Sequence, residues 1–236
     1  MRFPFNLNNS ERQTDFDVIG FGTNAVDFLI GVPEYPEFNS KVRLTNYVRA
    51  AGGEVATTMA GLTRLGLRTS YIGRFGDDDA GDFGYSSLSG EGVDLSYAQR
   101  IPGAATQIGF IVIDERNGER TVIWDRDPKL SYAAEEAPLE ALSRTKVLHF
   151  TPHDVAACIE MAKAAKDHNV IVSADIDNMF EGAEELISYV DILMVSSDFP
   201  SKILVPIDER KALLHLQDRF GLADARIRQE QATHFA

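Results

Sequence analysis

Three groups of residues in this sequence have the types and spacing to do chemistry. Asn24 and Asp27 follow directly on the apolar run Asp17–Phe21 and Gly22. A polar group at the carboxyl end of a buried strand lies where open α/β sheets bind ligands. A carboxylate there suits a polyol, because it accepts hydrogen bonds from two neighbouring hydroxyls. Asp27 could equally cap a turn. The second group is Gly52-Gly53, ahead of a run with helical spacing at Val55, Met59, Leu62 and Leu65. A glycine pair lets backbone approach a ligand, and the helix N-terminus behind it offers N–H groups to oxygen-rich molecules. The alternative is a tight turn before a core helix. In the third group, Asp175 and Asp177 follow Ile171-Val172 and so lie near a strand's carboxyl end. Two such carboxylates could bind Mg²⁺ or order waters, or form the turn before the next helix. His149, His153 and Asp154 could suggest a metal site. Their spacing is loose and no HxxxH or HExxH pattern supports one, so a cap-and-loop reading is preferred.

The elements that must position these residues read as α/β. Asp17–Phe21 is a continuous apolar run, as expected of a strand buried on both faces. Gly66 stops the first helix, and a short strand, Ser70–Gly73, follows. From Lys146 the chain alternates strand and helix: strands at 147–150, 170–176 and 192–195, helices at 152–168 and 181–189. Repeated βα units imply a parallel sheet covered on both faces. Asn117-Gly118 sits between two β-rich runs, Thr106–Ile113 and Glu119–Asp125, which is a hairpin signal. Residues 28–32 and 41–48 read as two more strands, and Tyr47 and Trp124 as aromatic contacts of such a sheet.

Composition narrows the partners. The chain has 236 residues and a formal net charge of -13, which disfavours nucleic acid. No stretch is apolar and long enough to span a bilayer, and residues 1–15 read as a poorly ordered tail without the apolar core of a secretory signal. The single cysteine, Cys158, sits among apolar helix positions and reads as core packing in a reducing, cytoplasmic setting.

The stretch Ala51–Gly81 strings together Gly-Gly, an Ala-containing helix ending Arg64-Leu65-Gly66, a strand and Gly-Arg-Phe-Gly-Asp-Asp. This ordered series resembles the PfkB, or ribokinase-like, family of carbohydrate kinases, and Gly22-Thr23-Asn24-Ala25-Val26-Asp27 matches that family's sugar-binding turn in spacing. The resemblance implies a mostly parallel sheet flanked by helices, with a small β-sheet lid from about 28–48 and 106–125 that often also serves dimerisation. It implies ATP-dependent phosphoryl transfer to a sugar or sugar-like hydroxyl, with Mg²⁺. Asn24, Asp27, Gly52, Gly53 and Thr57 would hold the sugar, Thr57 standing where many members have Asn. Thr106, at the start of a lid strand, would touch substrate, unless it is there for strand propensity alone. Asp175 and Ser196 would lie on the phosphate side. Ser196 and Phe199 stand where the family often has Asn and Glu, a serine-bearing form that resembles the ketohexokinase-like branch.

The family's Gly-Ala-Gly-Asp block, an anion hole plus general base, has no counterpart in these residues. The resemblance covers about residues 16–221 and the N-terminal two-thirds of the family's fold. Residues 222–236 read as an irregular tail without the alternation of a further strand. The expectation is therefore an incomplete domain without nucleotide pocket or catalytic residue, inactive alone. The alternative is a non-catalytic sugar-binding or interaction protein.

Overall fold

The computed structural model describes residues 14–197, 199 and 209–228. A six-stranded parallel sheet carries the fold, in the order β12-β11-β10-β9-β1-β4. Its strands are β1 (Phe16–Phe21), β4 (Thr69–Ile72), β9 (Thr145–Phe150), β10 (Ile171–Ile176), β11 (Ile192–Ser196) and β12 (Asp224–Arg228). A second sheet of four strands has the order β3-β2-β7-β8, with β2 (Ala25–Val32), β3 (Asn46–Gly52), β7 (Ile108–Asp114) and β8 (Arg120–Asp125). β2 is antiparallel to β3 and parallel to β7, and β7–β8 is the expected hairpin. A ribbon of two short strands, β5 (Arg74–Gly76) and β6 (Gln99–Ile101), connects the two.

Alternate residues of β1 feed two cores. Ile19 and Phe21 join the cluster built on α3 (Val155–Asp167), whereas Val18 joins Val55, Met59, Tyr71 and Phe75 under α1 (Glu54–Arg64). Burial on both faces is why β1 reads as an unbroken apolar run. Helix α1 lies so close to β1 that a Cβ on Gly20 would come within 2.6 Å of Val55 Cγ1. Val55 and Met59 are fully buried, each contributing roughly 1.5–3 kcal/mol of transfer free energy. Gly66 ends α1 with φ +90°, as its position suggested. Cys158 is buried in α3 against the larger core, and burial pushes its thiol far above the ordinary range.

The structure differs from the sequence reading in five places. Strand β2 begins at Ala25, so Asp27 is a strand residue and not part of a loop. Strand β3 begins at Asn46, five residues later than expected. The helix expected over 181–189 narrows to α4 (Ala183–Ile187), because Gly182 precedes it in the left-handed region. Residues 224–228 form β12 where an irregular tail was expected. It is the outer strand of the described sheet, with Ala225 buried and Ile227 packed on the core while Arg226 and Arg228 mask the alternation. At the other end, Asp15 pairs with Arg144 at 2.6 Å and Thr14 is buried, so those two residues belong to the domain; residues 1–13 lie outside the described ones. A final helix, α5 (Glu209–Phe220), packs on β12.

Candidate functional site

Asp27 stands on the face of the small sheet that looks toward the carboxyl ends of β9 and β10. Its register partners are Ala50 on β3 and Gly109 on β7. A Cβ on Gly109 would lie 2.6 Å from Asp27 Oδ1, and one on Gly52 would overlap Oδ2 outright. The carboxylate therefore occupies a slot that two missing side chains leave open. Among the described residues it has no hydrogen-bond partner, and burial raises its pKa above the usual carboxylate range. Beside it Gly53, with φ +94°, turns the chain into the N-terminus of α1. A Cβ on Gly53 would come within 2.7 Å of Thr23 O, so the turn packs directly on the 22–24 backbone.

Asp27, Gly53, Glu54, Gln107, Trp124 and His153 line a cavity of about 360 Å³, with Leu29 and Val122 as apolar wall. Gln107 Oε1 is buried there without a partner. A second cavity of about 340 Å³ shares Glu54, Trp124 and His153 and extends to Asp175, Asp177 and Phe180. The two form one cleft, joined at the Glu54–His153 contact of 3.6 Å. His153 holds Glu54 below the ordinary carboxylate range, whereas burial raises Asp177, which hydrogen-bonds Glu54. Burial also raises Asp175 to about 6, opposed by Arg228. Arg228 Nε lies 3.3 Å from Asp175 Oδ2, and its Nη2 bonds Asp177 Oδ1. Ser196 is buried at the end of β11 and donates to Asp177 O at 3.1 Å.

The expected sugar residues divide. Asp27, Gly52 and Gly53 come together as expected. Asn24 does not reach this cleft: its Nδ2 donates to Tyr71 Oη at 2.9 Å and to Arg74 O at 2.8 Å. It lines a separate cavity, together with Thr57. Thr106 is taken up by internal bonds. It donates to Asp78 Oδ1 at 2.6 Å and accepts from Gly76 N at 3.0 Å, fastening the start of β7 to the cap of α2 (Asp79–Gly90). Its neighbour Gln107 enters the cavity instead. Sequence reasoning passed over Glu54, Gln107 and Arg120 as lining residues. Glu54 carried a signal, being the first residue after the glycine pair, on the first turn of α1.

The histidine group does not assemble. His149 is buried, contacts Ser173 Oγ at 3.2 Å, and has its pKa lowered to about 4 by burial. Asp154 precedes α3 without capping it, contrary to the cap reading. Its carboxylate instead takes two 3.0 Å hydrogen bonds from Arg126. Among the described residues no group of three His, Cys, Asp or Glu is arranged to hold a metal ion. None of their helices is long and apolar enough to cross a membrane.

Comparison with known proteins places this geometry. Residues 17–198 match the family described as pfkB family carbohydrate kinase. A probable fructokinase-5 of Arabidopsis thaliana is 26% identical over 199 residues, which cover 77% of this chain and 60% of that protein. Ketohexokinase of Mus musculus is 24% identical, over 77% of this chain and 63% of its own. The chain thus spans about three-fifths of the length of these relatives. A ribokinase described as putative, from Agrobacterium tumefaciens, superposes with TM-score 0.79 at 23% identity, covering 87% of this chain and 67% of that one. Arabidopsis thaliana ribokinase, solved with ribose and ATP, superposes with TM-score 0.73 at 18% identity, covering 91% and 72%.

Proposed function

This chain belongs to the pfkB family of carbohydrate kinases, and we propose that its cleft binds a sugar or sugar-like polyol through Asp27, as the acceptor side of an ATP-dependent phosphoryl transfer. The observation that carries the reading is the Asp27 carboxylate, held open between Gly52 and Gly109 and unpartnered among the described residues. It is an acceptor for two adjacent hydroxyls. Gly53 brings the first N–H groups of α1 to the same cavity, where they can meet a sugar oxygen. Glu54, Gln107 and His153 supply further polar contacts, and Leu29, Val122 and Trp124 an apolar wall for the sugar's C–H face. The net charge of -13 disfavours a nucleic-acid partner, and the buried Cys158 suits a reducing cytoplasm.

The family implies ATP and Mg²⁺, but the described residues do not fit them. Asp175 and Asp177, the carboxylates on the phosphate side, are already paired with Arg228. With Glu54 they line that part of the cleft with carboxylates, whose charge repels a polyphosphate. No step is therefore derived through the nucleotide. No Gly-Ala-Gly-Asp block occurs in the 236 residues, so a general base at the acceptor hydroxyl is not assigned. The chain by itself is expected to bind sugar without turning it over. The second reading, a non-catalytic sugar-binding protein, is favoured by the same Arg228 pairing.

Calorimetry with fructose and ribose, paired with an ADP-release assay, tests both readings. The expected result is saturable sugar binding that Asp27→Ala abolishes, with no ADP release above background. Sugar binding that survives Asp27→Ala overturns the assignment of the cleft. ADP release that depends on Asp27 overturns the non-catalytic expectation.

A further inference from the structure

Three rows of residues cross the cleft face of the small sheet, and their chemistry changes from one row to the next. Asp27 lies level with Gly109 and Trp124. Two residues further along β2, Leu29 lies level with Ile111 and Val122. Two further again, Gly31 lies level with Ile113 and Arg120. Side chains alternate along a strand, so Leu29, Val122 and Arg120 share the face on which Asp27 stands. All four line the same cavity of about 360 Å³. A ligand held there meets a carboxylate at one end, an apolar strip in the middle and a guanidinium at the other. Trp124 and Arg120 are four residues apart on β8, roughly 13 Å of strand. The long arginine side chain spans part of that distance, and a sugar's carbon chain with an end group can span the rest.

Charge decides what the far end takes. The ionisable residues that line this cavity are Asp27, Glu54, His153 and Arg120. Glu54 and His153 face each other at 3.6 Å. Asp175 and Asp177 line the neighbouring cavity, which Arg120 does not. Among the described lining residues Arg120 is thus the one permanent cation, in a chain of net charge -13. It also interacts within the chain, and the five N–H donors of a guanidinium can serve more than one acceptor. Their planar fork matches a carboxylate or a phosphate, and such charge-assisted bonds are about twice as strong as those to a hydroxyl. We infer that the sugar taken by this cleft carries an anionic end group, a carboxylate or a phosphate, which Arg120 receives while hydroxyls at the other end bind Asp27. The inference rests on the Asp27 reading, whose sugar it specifies.

The test is calorimetry with two matched pairs, gluconate against gluconamide and ribose 5-phosphate against ribose. In at least one pair the anionic member should bind roughly tenfold more tightly or better, and which pair shows it tells carboxylate from phosphate. The gap should narrow as salt rises, since the guanidinium is exposed. Arg120→Gln should bring the two members of that pair together, and Asp27→Ala should weaken both. Should the Gln variant melt early, Arg120→Lys decides the point: it keeps the charge and loses the fork, and should retain only part of the gap. Neutral members that bind through Asp27 as well as the anionic ones do would overturn this inference and leave the Asp27 reading standing. A preference that survives Arg120→Gln, or is undiminished in Arg120→Lys, would do the same. If no member of either pair binds, or none needs Asp27, both fall together.

Discussion

The carboxylate of Asp27 rests against the bare Cα of Gly52, in the space where a side chain at position 52 would stand. The acceptor and the glycine pair are thus one device: the missing Cβ on β3 is what lets the carboxylate of β2 turn into the cleft. Gly52 is not in the left-handed region, so its role is the space it leaves and not its backbone freedom.

Gly52→Ala should therefore weaken sugar binding while leaving the fold nearly intact. Displacing the carboxylate forfeits a pair of charge-assisted hydrogen bonds, about 1.5–3 kcal/mol, or roughly 10–100-fold in affinity. Calorimetry beside a urea melt measures both. Unchanged affinity in a well-folded variant would show that Asp27 does not need the slot.

The pH dependence of stability should carry the mark of Asp175. Its folded pKa is raised to about 6 by burial. Between the ordinary carboxylate value and that one, the folded state binds more protons than the unfolded state. The contribution is complete below about pH 4 and is lost as pH rises through about 6. Asp175→Asn should flatten the stability curve over that window and gain on the order of 1 kcal/mol at neutral pH, the loss of an Arg228 partner limiting the gain. Urea melts across the window check this; parallel curves for the two proteins would contradict it.

Arg126 and Asp154 form a bidentate pair whose side chains are 14% and 8% exposed. Removing either partner leaves a nearly buried charge alone, so Arg126→Ala or Asp154→Ala should cost about 3 kcal/mol of stability. Because Asp154 follows His153, the Asp154 variant should also loosen sugar binding. Chemical denaturation reads the first effect and calorimetry the second.

Trp124 lies opposite Gly109 on the Asp27 face of the small sheet, whereas the other face presents Tyr47 and Ile123, each more than half exposed, with Phe28 stacked between Tyr47 and Phe110. We propose that a second copy of this chain covers that face. Sedimentation should show a concentration-dependent dimer that Ile123→Glu dissociates, and a monomer at all concentrations would refute it.

Much of the fold was legible because local patterns are enough for it. The apolar runs of β1, β9, β10 and β11, the glycine stop at Gly66 and the Asn117-Gly118 turn each depend on near neighbours in the chain. β12 was hidden because it is an outer strand, where Arg226 and Arg228 interrupt a two-residue apolar alternation and the ladder to β11 supplies the rest.

By itself the sequence determined the class of fold; through its family resemblance it pointed to Asp27 and Gly52-Gly53 as parts of one site, and no Gly-Ala-Gly-Asp block occurs within these 236 residues. Only the tertiary structure decided which side chains share a cleft. Just ahead of β7, Gln107 enters the cavity while Thr106 is taken up by bonds to Asp78 and Gly76. Asn24 and Thr57 line the cavity between α1 and α2, although Asn24 stands three residues from Asp27 and Thr57 four from Gly53. Direction, unlike residue type, is fixed by partners distant in the chain.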